Sequence, residues 1–219
     1  IIDPGVKRDM QYPVYQAGSA AGHFSTLPGK TPLTGVVWPG EAAFPDFTHP
    51  ATRRWWGGQY QFLLDAGVDG IWHDMNEPAS FVLSGDSSLP LAAEHHLDGS
   101  GGDHLQAHIL YGYQMNRAAY EGLQALAPER RPWIVSRSGW VGNSRYAWNW
   151  TADVETSWAG LRQTVTTLLG MAISGIPLTG ADIGGFTGKP SAELFVRWFQ
   201  MAAFTAFMRT HSACGLARR

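Results

Sequence analysis

Short apolar runs of strand length recur along this chain, and each of them ends in polar residues. The clearest run, residues 68–72, leads directly into His73 and Asp74. The other runs end in the same way, at Asp3, Arg137, Asp153, Asp182 and His211. These predicted strands span residues 1–2, 133–135, 146–150, 176–178 and 204–208. Continuous apolar runs are typical of strands buried on both faces, so polar chemistry can gather only where the strands end.

Helical patterns fill the intervals between these runs. Residues 50–64 begin with Pro50, which suits a first helical position, and Gly67 follows as a stop signal. Three further segments carry apolar side chains at spacings of three, four and seven, namely residues 105–126, 157–173 and 190–203. Strands that alternate with helices predict βαβ units around a parallel sheet.

Polar residues at several strand ends favour a (β/α)8 barrel, the TIM barrel of the α/β class, because such barrels draw catalytic groups from several strands at one face. Six strands are visible, and we expect them to be about strands 3 to 8 of an incomplete barrel. A doubly wound open sheet is the alternative, since it also binds ligands at strand C-termini. Two long loops, at about residues 10–47 and 80–104, are expected to form walls of the site.

Composition bears on the class of partner. A net charge of −2 offers no electrostatic footprint for nucleic acid or an anionic membrane, and no apolar run is long enough to span a bilayer. Ten Trp residues provide flat platforms suited to sugar rings or bases.

The single Cys214 rules out an internal disulfide. The chain opens on Ile1 without a Met, so we expect it to be a piece of a longer protein, whose compartment and oligomeric state the sequence does not define.

Asp74 and Asp153 are the clearest candidates for catalytic carboxylates. Each follows an apolar, Trp-containing strand, and in a barrel such residues converge on one pocket. Two converging carboxylates can cleave an acetal, one by attacking and the other by protonating the leaving oxygen. A cap or turn role is the alternative for either residue taken singly. The repetition of the pattern at several strands favours the catalytic interpretation.

Three other strand-end residues extend this candidate site. An arginine such as Arg137 keeps a neighbouring carboxylate ionised by lowering its pKa. Asp182 is flanked by Gly180 and Gly184, where the backbone can approach a ligand closely. For His211 taken alone, a structural role is the alternative.

The segment Trp72-His73-Asp74-Met75-Asn76-Glu77 matches the W-x-D-M-N-E signature of glycoside hydrolase family 31, the α-glucosidase and α-xylosidase family, and the chain resembles that family nearly end to end. The other matching blocks, in order, are Ile2-Asp3-Pro4-Gly5, Val37-Trp38-Pro39-Gly40, Phe44-Pro45-Asp46-Phe47, Ser136-Arg137-Ser138-Gly139, Trp150-Thr151-Ala152-Asp153, Gly180-Ala181-Asp182-Ile183-Gly184-Gly185-Phe186 and Met208-Arg209-Thr210-His211.

The resemblance implies a role for each matching position. Asp74 matches the catalytic nucleophile and Asp153 the general acid/base. The residues that hydrogen-bond the sugar are matched by Arg137, Asp182 and His211. The walls of the pocket are matched by Trp72, Met75, Trp150 and Phe186, with Trp38 as a further aromatic contact. We expect Glu77 to hold the strand end without touching the sugar.

In the implied mechanism Asp74 attacks the anomeric carbon while Asp153 protonates the departing oxygen, and water then releases the sugar with Asp153 as base. Such retaining chemistry requires carboxyl groups about 5–5.5 Å apart. Burial against Trp150 is expected to help keep Asp153 protonated. No metal or organic cofactor is implied, because two carboxylates suffice for acetal cleavage.

Some features depart from the family pattern. Ala152 stands where the family usually has Gly, and Val154 where it often has Asn, so we expect a slightly altered acid loop. His73 occupies the variable position and, in an alternating strand, should point away from the pocket. The first two barrel strands and the family's N-terminal and C-terminal β-sandwich domains are missing, so residues 1–219 are interpreted as a partial catalytic barrel.

The sequence therefore predicts an enzyme, a retaining α-glycoside hydrolase with α-glucosidase as the first choice. Its expected partner is an α-linked glucoside or oligosaccharide. An α-xylosidase or α-transglycosidase of the same family is one alternative. An inactive sugar-binding barrel fragment is the other, because an open barrel exposes strand edges and apolar surface.

Overall fold

A computed structural model describes residues 1–81 and 87–213 of the chain. The chain divides into two compact units, Ile1–Trp140 and Val141–Arg219. Cys214 and residues 82–86 of the second predicted loop lie outside the described residues. Within the described ranges, no helix has the length and apolar character needed to cross a membrane.

The first unit combines parallel strands with smaller antiparallel sheets. Its elements, in chain order, are β1 (Val6–Lys7), α1 (Pro13–Ala20), β2 (Thr26–Leu27), β3 (Thr31–Pro32), β4 (Thr34–Val37), β5 (Gly40–Ala43), α2 (Pro50–Gln59), α3 (Gln61–Asp65), β6 (Ile71–His73), β7 (Glu94–His95), β8 (Gly102–Asp103), α4 (His104–Leu126) and β9 (Ile134–Ser136).

The parallel part of this unit positions the strand end that carries Asp74. Strands β6 and β9 pair in parallel, with Trp72 opposite Val135. On the other side of β6, Ile2 forms a parallel bridge with His73. Helix α4 connects the two strands, and its Gly122 packs so closely on Gly57 of α2 that an added Cβ would overlap the neighbouring backbone. This close approach packs α2 directly against α4.

The two predicted loops contain regular structure. Residues 10–47 hold α1 and two hairpins. Strand β5 pairs antiparallel with both β1 and β4 to form a three-stranded sheet. Strands β7 and β8 come from the second loop and join β2 and β3, with Thr26 opposite Glu94. These short strands were not predicted from the sequence, and the role of the two loops as walls of the site stays a prediction. Most of these strands have only two residues, too few to show an alternating pattern in the sequence.

The second unit repeats the strand and helix alternation. Its elements are β10 (Trp148–Trp150), α5 (Trp158–Ile173), β11 (Thr179–Asp182), α6 (Ala192–Ala202) and β12 (Phe207–Arg209). The three strands are parallel, with Trp150 opposite Gly180 and Asp182 opposite Arg209. A core cluster of Ile183, Leu194, Trp198 and Ala202 packs α6 against the strand ends.

The predicted helices are found with small shifts at their ends. Residues 50–64 form two helices, α2 and α3, separated at Tyr60. Helices α4, α5 and α6 begin after Asp103, Ser157 and Ser191, whose side chains accept a hydrogen bond from the first turn. Such caps satisfy backbone N–H groups that have no partner inside the helix.

Two predicted strands begin later than expected. The run at residues 176–178 precedes β11, because Pro177 has no N–H for a ladder and the strand starts at Thr179. The run at residues 204–208 contributes only its last residues to β12. Phe204 lies in the turn after α6 and is almost fully exposed.

Candidate active site

Asp74 lies immediately after β6, on a backbone fixed from both sides. Its N–H donates to the carbonyl of Ile2 at 3.1 Å. Its carboxylate oxygen Oδ1 accepts a hydrogen bond from the N–H of Met75 at 2.9 Å and forms an ion pair with Arg137 Nη1 at 3.0 Å. The side chain is 25% exposed, so the carboxylate is held in place while a ligand can still reach it.

Arg137 joins Asp74 to Glu77. Its Nε and Nη2 donate to the two oxygens of Glu77, each at 2.8 Å, and Nη2 also lies 3.2 Å from the sulfur of Met75. A two-pronged contact of this kind fixes both the position and the plane of a guanidinium. Glu77 thus orients the arginine that is paired with Asp74.

Asn76 fixes the strand end from which Arg137 projects. Its amide nitrogen donates to the hydroxyl of Ser136 at 2.9 Å, and its amide oxygen accepts from the N–H of Ser138 at 3.1 Å. Asn76 is fully buried, and these contacts join the segment after β6 to the segment after β9. Asn76 was not among the predicted site residues. Its presence within the signature segment was the only available signal.

His73 faces away from this strand end, as predicted, into the helical layer. Trp56 Nε1 donates to the hydroxyl of Tyr60, which lies 2.7 Å from His73 Nε2. His73 Nδ1 lies 2.7 Å from the amide oxygen of Asn116. The chain of donors is consistent if Tyr60 donates to Nε2 and Nδ1–H donates to Asn116. Burial lowers the pKa of His73 to about 4, so the ring is neutral at neutral pH.

Replacing His73 by leucine is expected to lower the free energy of unfolding by about 2–4 kcal/mol, because Tyr60 loses its acceptor and Asn116 loses a donor in a fully buried place. Urea unfolding measures the loss. Tyr60→Phe, which removes only the hydroxyl, is expected to cost less, about 1 kcal/mol. An unchanged midpoint for His73→Leu would show that the network does not stabilise the fold.

The same histidine makes stability depend on pH. The pKa of His73 is lower in the folded chain than its ordinary 6.5. The unfolded chain therefore takes up the proton first as the pH falls, and stability declines between about pH 6.5 and pH 4. This part of the acid sensitivity should be absent in His73→Leu.

Asp3 is a charged residue of this strand end to which the sequence analysis gave no role. It follows Ile2, the residue that bridges to His73. The pKa of Asp3 is raised to about 6, because burial and then the charge of Asp74 raise it by more than Arg137 lowers it. No motif signals this, because the effect depends on charges that only the folded chain brings together.

The predicted wall residues of the first unit lie in different environments. Met75 is buried in a core cluster with Leu33, Val37 and Phe44, and its φ is +56°. Trp38 is 73% exposed beside the β4–β5 hairpin, with its ring edge-on to Phe81 at 4.8 Å between centroids. Trp72 is partly buried within β6. Of these three, Trp38 offers the most open aromatic surface.

In the second unit, the buried Asp182 accepts a hydrogen bond from Arg209 Nη2 at 2.9 Å. The guanidinium of Arg209 also lies over the ring of the buried Trp150, 5.3 Å from its centroid. Phe186 and His211 stack with ring centroids 5.2 Å apart. Arg209 was not predicted as a site residue, but it contacts two residues that were, Asp182 and Trp150.

Asp153 follows β10 and is exposed, so the expected burial against Trp150 is not found. The residue before it, Ala152, has φ +58°. This left-handed conformation carries a steric cost for residues with a Cβ, roughly 1–2 kcal/mol. Glycine adopts this left-handed conformation without the steric cost, which explains why the family usually has glycine at this position.

Comparison with known proteins defines the class of this chain. A family model described as "Glycosyl hydrolases family 31 TIM-barrel domain" matches residues 1–219. The chain belongs to this family, which confirms the predicted TIM-barrel class and excludes the doubly wound sheet.

Named relatives and solved structures agree with this assignment. The chain is 39% identical over its full length to Alpha-glucosidase 2 of Bacillus thermoamyloliquefaciens, covering 28% of that protein, and 37% identical to Neutral alpha-glucosidase C of Mus musculus, covering 24%. It matches a crystal structure of glucosidase II alpha subunit over its whole length with a TM-score of 0.91 and 31% identity, covering 24% of that chain. It thus spans about a quarter of the length of these relatives.

Proposed function

We propose that the chain provides the catalytic residues of a retaining α-glycosidase whose substrates are α-linked glucosides. The observation that carries the proposal is the carboxylate of Asp74, fixed at a strand end through Arg137 and Glu77 and still 25% exposed. The names of the relatives, which are α-glucosidases, support the choice of sugar.

Asp74 is assigned the nucleophilic step. Both of its described contacts are made by Oδ1, with Met75 and with Arg137. Among the described residues, Oδ2 has no hydrogen-bond partner, so it is the oxygen assigned to attack the anomeric carbon. A bond forms from Oδ2 to that carbon while the bond to the leaving oxygen breaks. Arg137 stabilises the negative charge on the carboxylate before attack and on the departing carboxylate afterwards.

Asp153 is assigned the proton transfers. It gives a proton to the leaving oxygen in the first step. In the second step it accepts a proton from water, whose oxygen bonds to the anomeric carbon while the bond to Asp74 Oδ2 breaks, so the enzyme returns to its starting state. Its exposed position at the end of β10 suits exchange of that proton with solvent. Arg137, Asp182 and His211 are proposed to bind sugar hydroxyls. Trp72, Met75, Trp150, Phe186 and Trp38 are proposed to line the path of the substrate, and no metal is required.

The test uses the native protein that contains this chain. It is supplied with 4-nitrophenyl α-glucoside, α-xyloside and β-glucoside, and the first-formed sugar anomer is followed by NMR. Hydrolysis of the α-glucoside with release of the α anomer is expected. Release of the β anomer first would overturn the retaining mechanism, and faster cleavage of the α-xyloside would favour the α-xylosidase alternative. Binding of glucose by calorimetry without any turnover would favour the inactive sugar-binding alternative.

A further inference from the structure

Asp3 places a third carboxyl group beside Asp74. Ile2 and His73 are partners in a parallel bridge, in which Ile2 N–H donates to Trp72 and the N–H of Asp74 donates to Ile2. Residues in register on neighbouring parallel strands direct their side chains to the same face, and the strands lie about 4.8 Å apart. Asp3 and Asp74 each follow the bridged pair by one residue. Their carboxyl groups therefore lie side by side on the face opposite His73.

The charges at this place do not balance. Asp3, Asp74 and Glu77 can present three negative charges, against the guanidinium of Arg137. Arg137 forms ion pairs with Asp74 and Glu77. In the part of the chain that the structure describes, no hydrogen bond or ion pair is made to Asp3. Its carboxyl group thus lies beside the carboxyl groups of Asp74 and Glu77, and the nearest cation, Arg137, is already ion-paired with both of them.

The consequence is a carboxyl group that titrates close to neutrality. Burial is the largest cause, the charge of Asp74 comes second, and Glu77 adds to it. Arg137 acts in the opposite direction. Together they place the pKa of Asp3 at about 6, above its ordinary 3.8. Asp3 is accordingly neutral in acid and negatively charged above about pH 6.

We propose that Asp3 is a charge-setting residue for the glycosidase, whose ionised form stabilises the positive charge that develops on the sugar next to Asp74. The proposal deepens the proposed function and rests on it. The transition state of glycoside cleavage resembles an oxocarbenium ion, and a fixed negative charge within several ångströms favours it. Asp3 acts through this field and through Asp74, without contact to the sugar.

The arrangement opposes folding. The folded chain holds the Asp3 proton more tightly than the unfolded chain does, so stability is lost as the pH rises from about 4 through about 6. Above that window the ionised carboxylate destabilises the fold in which it is placed. A carboxylate retained only for structure would behave in the opposite way.

The test compares Asp3→Asn with Asp69→Asn in the native protein that contains this chain. Asp69 lies just before β6, the strand that Asp74 follows, and its side chain is 87% exposed, so it serves as the matched control. For Asp3→Asn, kcat/KM on an aryl α-glucoside is expected to fall roughly tenfold above pH 6, the size of one unit charge acting through partly solvated protein. At pH 4.5 it should change little, and Asp3→Glu should restore part of the activity.

Two further measurements separate this role from a structural one. The melting temperature of Asp3→Asn should rise at pH 7.5 and stay unchanged near pH 4. Affinity for deoxynojirimycin, a cationic sugar mimic, should fall more than affinity for neutral glucose. An equal loss of kcat/KM at every pH, or a lower melting temperature at pH 7.5, would overturn the inference. Full activity of an Asp74→Asn protein would instead overturn the proposed function.

Discussion

Replacing Asp74 by asparagine is expected to lower kcat on an aryl α-glucoside by roughly 10⁴-fold or more, because covalent catalysis is lost with the nucleophile. An amide has nearly the shape of a carboxylate and its oxygen can still accept from the N–H of Met75. The fold should therefore be retained, and the loss should appear in kcat. Stopped assays with long incubation measure the residual rate.

The control for this experiment is again Asp69→Asn, which removes a carboxylate from an exposed pair with Arg130. It should retain the activity of the unchanged protein. A slowly hydrolysed fluorinated α-glucosyl fluoride should attach covalently to Asp74, and peptide mass spectrometry locates the adduct. Attachment elsewhere, or an Asp74→Asn activity within tenfold of the unchanged protein, would show that Asp74 is not the nucleophile.

Replacing Asp153 by alanine is expected to give a loss that depends on the leaving group. For an alkyl α-glucoside, whose leaving oxygen needs a proton, the rate should fall by roughly 10²–10⁴-fold. For α-glucosyl fluoride, whose leaving group needs little help, the first step should be almost unchanged. Added azide should then accelerate the second step and yield a glucosyl azide, because azide attacks without a general base.

Glu155→Gln provides the comparison, since Glu155 is exposed two residues further along the same segment. It is expected to leave all these rates unchanged. Because Asp153 is exposed, Asp153→Ala should also unfold at the same urea concentration as the unchanged protein. An equal loss on every substrate, without rescue by azide, would remove Asp153 from the role of acid and base.

The helices could be predicted because they extend over many residues. Helix α4 runs from His104 to Leu126, long enough for its apolar periodicity to stand out, and the capping residues Asp103, Ser157 and Ser191 mark where helices begin. The strands β2, β3, β7 and β8 could not be predicted. Each has only two residues, and their pairing depends on segments of chain that lie far apart in sequence.

The site residues that directly follow a predicted strand could be predicted, whereas those whose role depends on tertiary contacts could not. Asp74 and Arg137 were visible as strand-end residues, and the structure joins them through an ion pair. The link from Arg137 to Glu77 needed the fold, since sixty positions separate them. Asp3 was passed over because its altered pKa comes from burial and from neighbouring charges that no local pattern encodes.

Both candidate catalytic aspartates have a neighbour in the left-handed region, Met75 after Asp74 and Ala152 before Asp153. Selection for heat resistance alone would favour substitutions at these two positions, because relieving the left-handed backbone there would stabilise the fold. Any such gain would loosen the turn that aims a carboxylate. Laboratory evolution of this domain should therefore find thermal tolerance more safely in the helical layer around α2 and α4 than beside its acids.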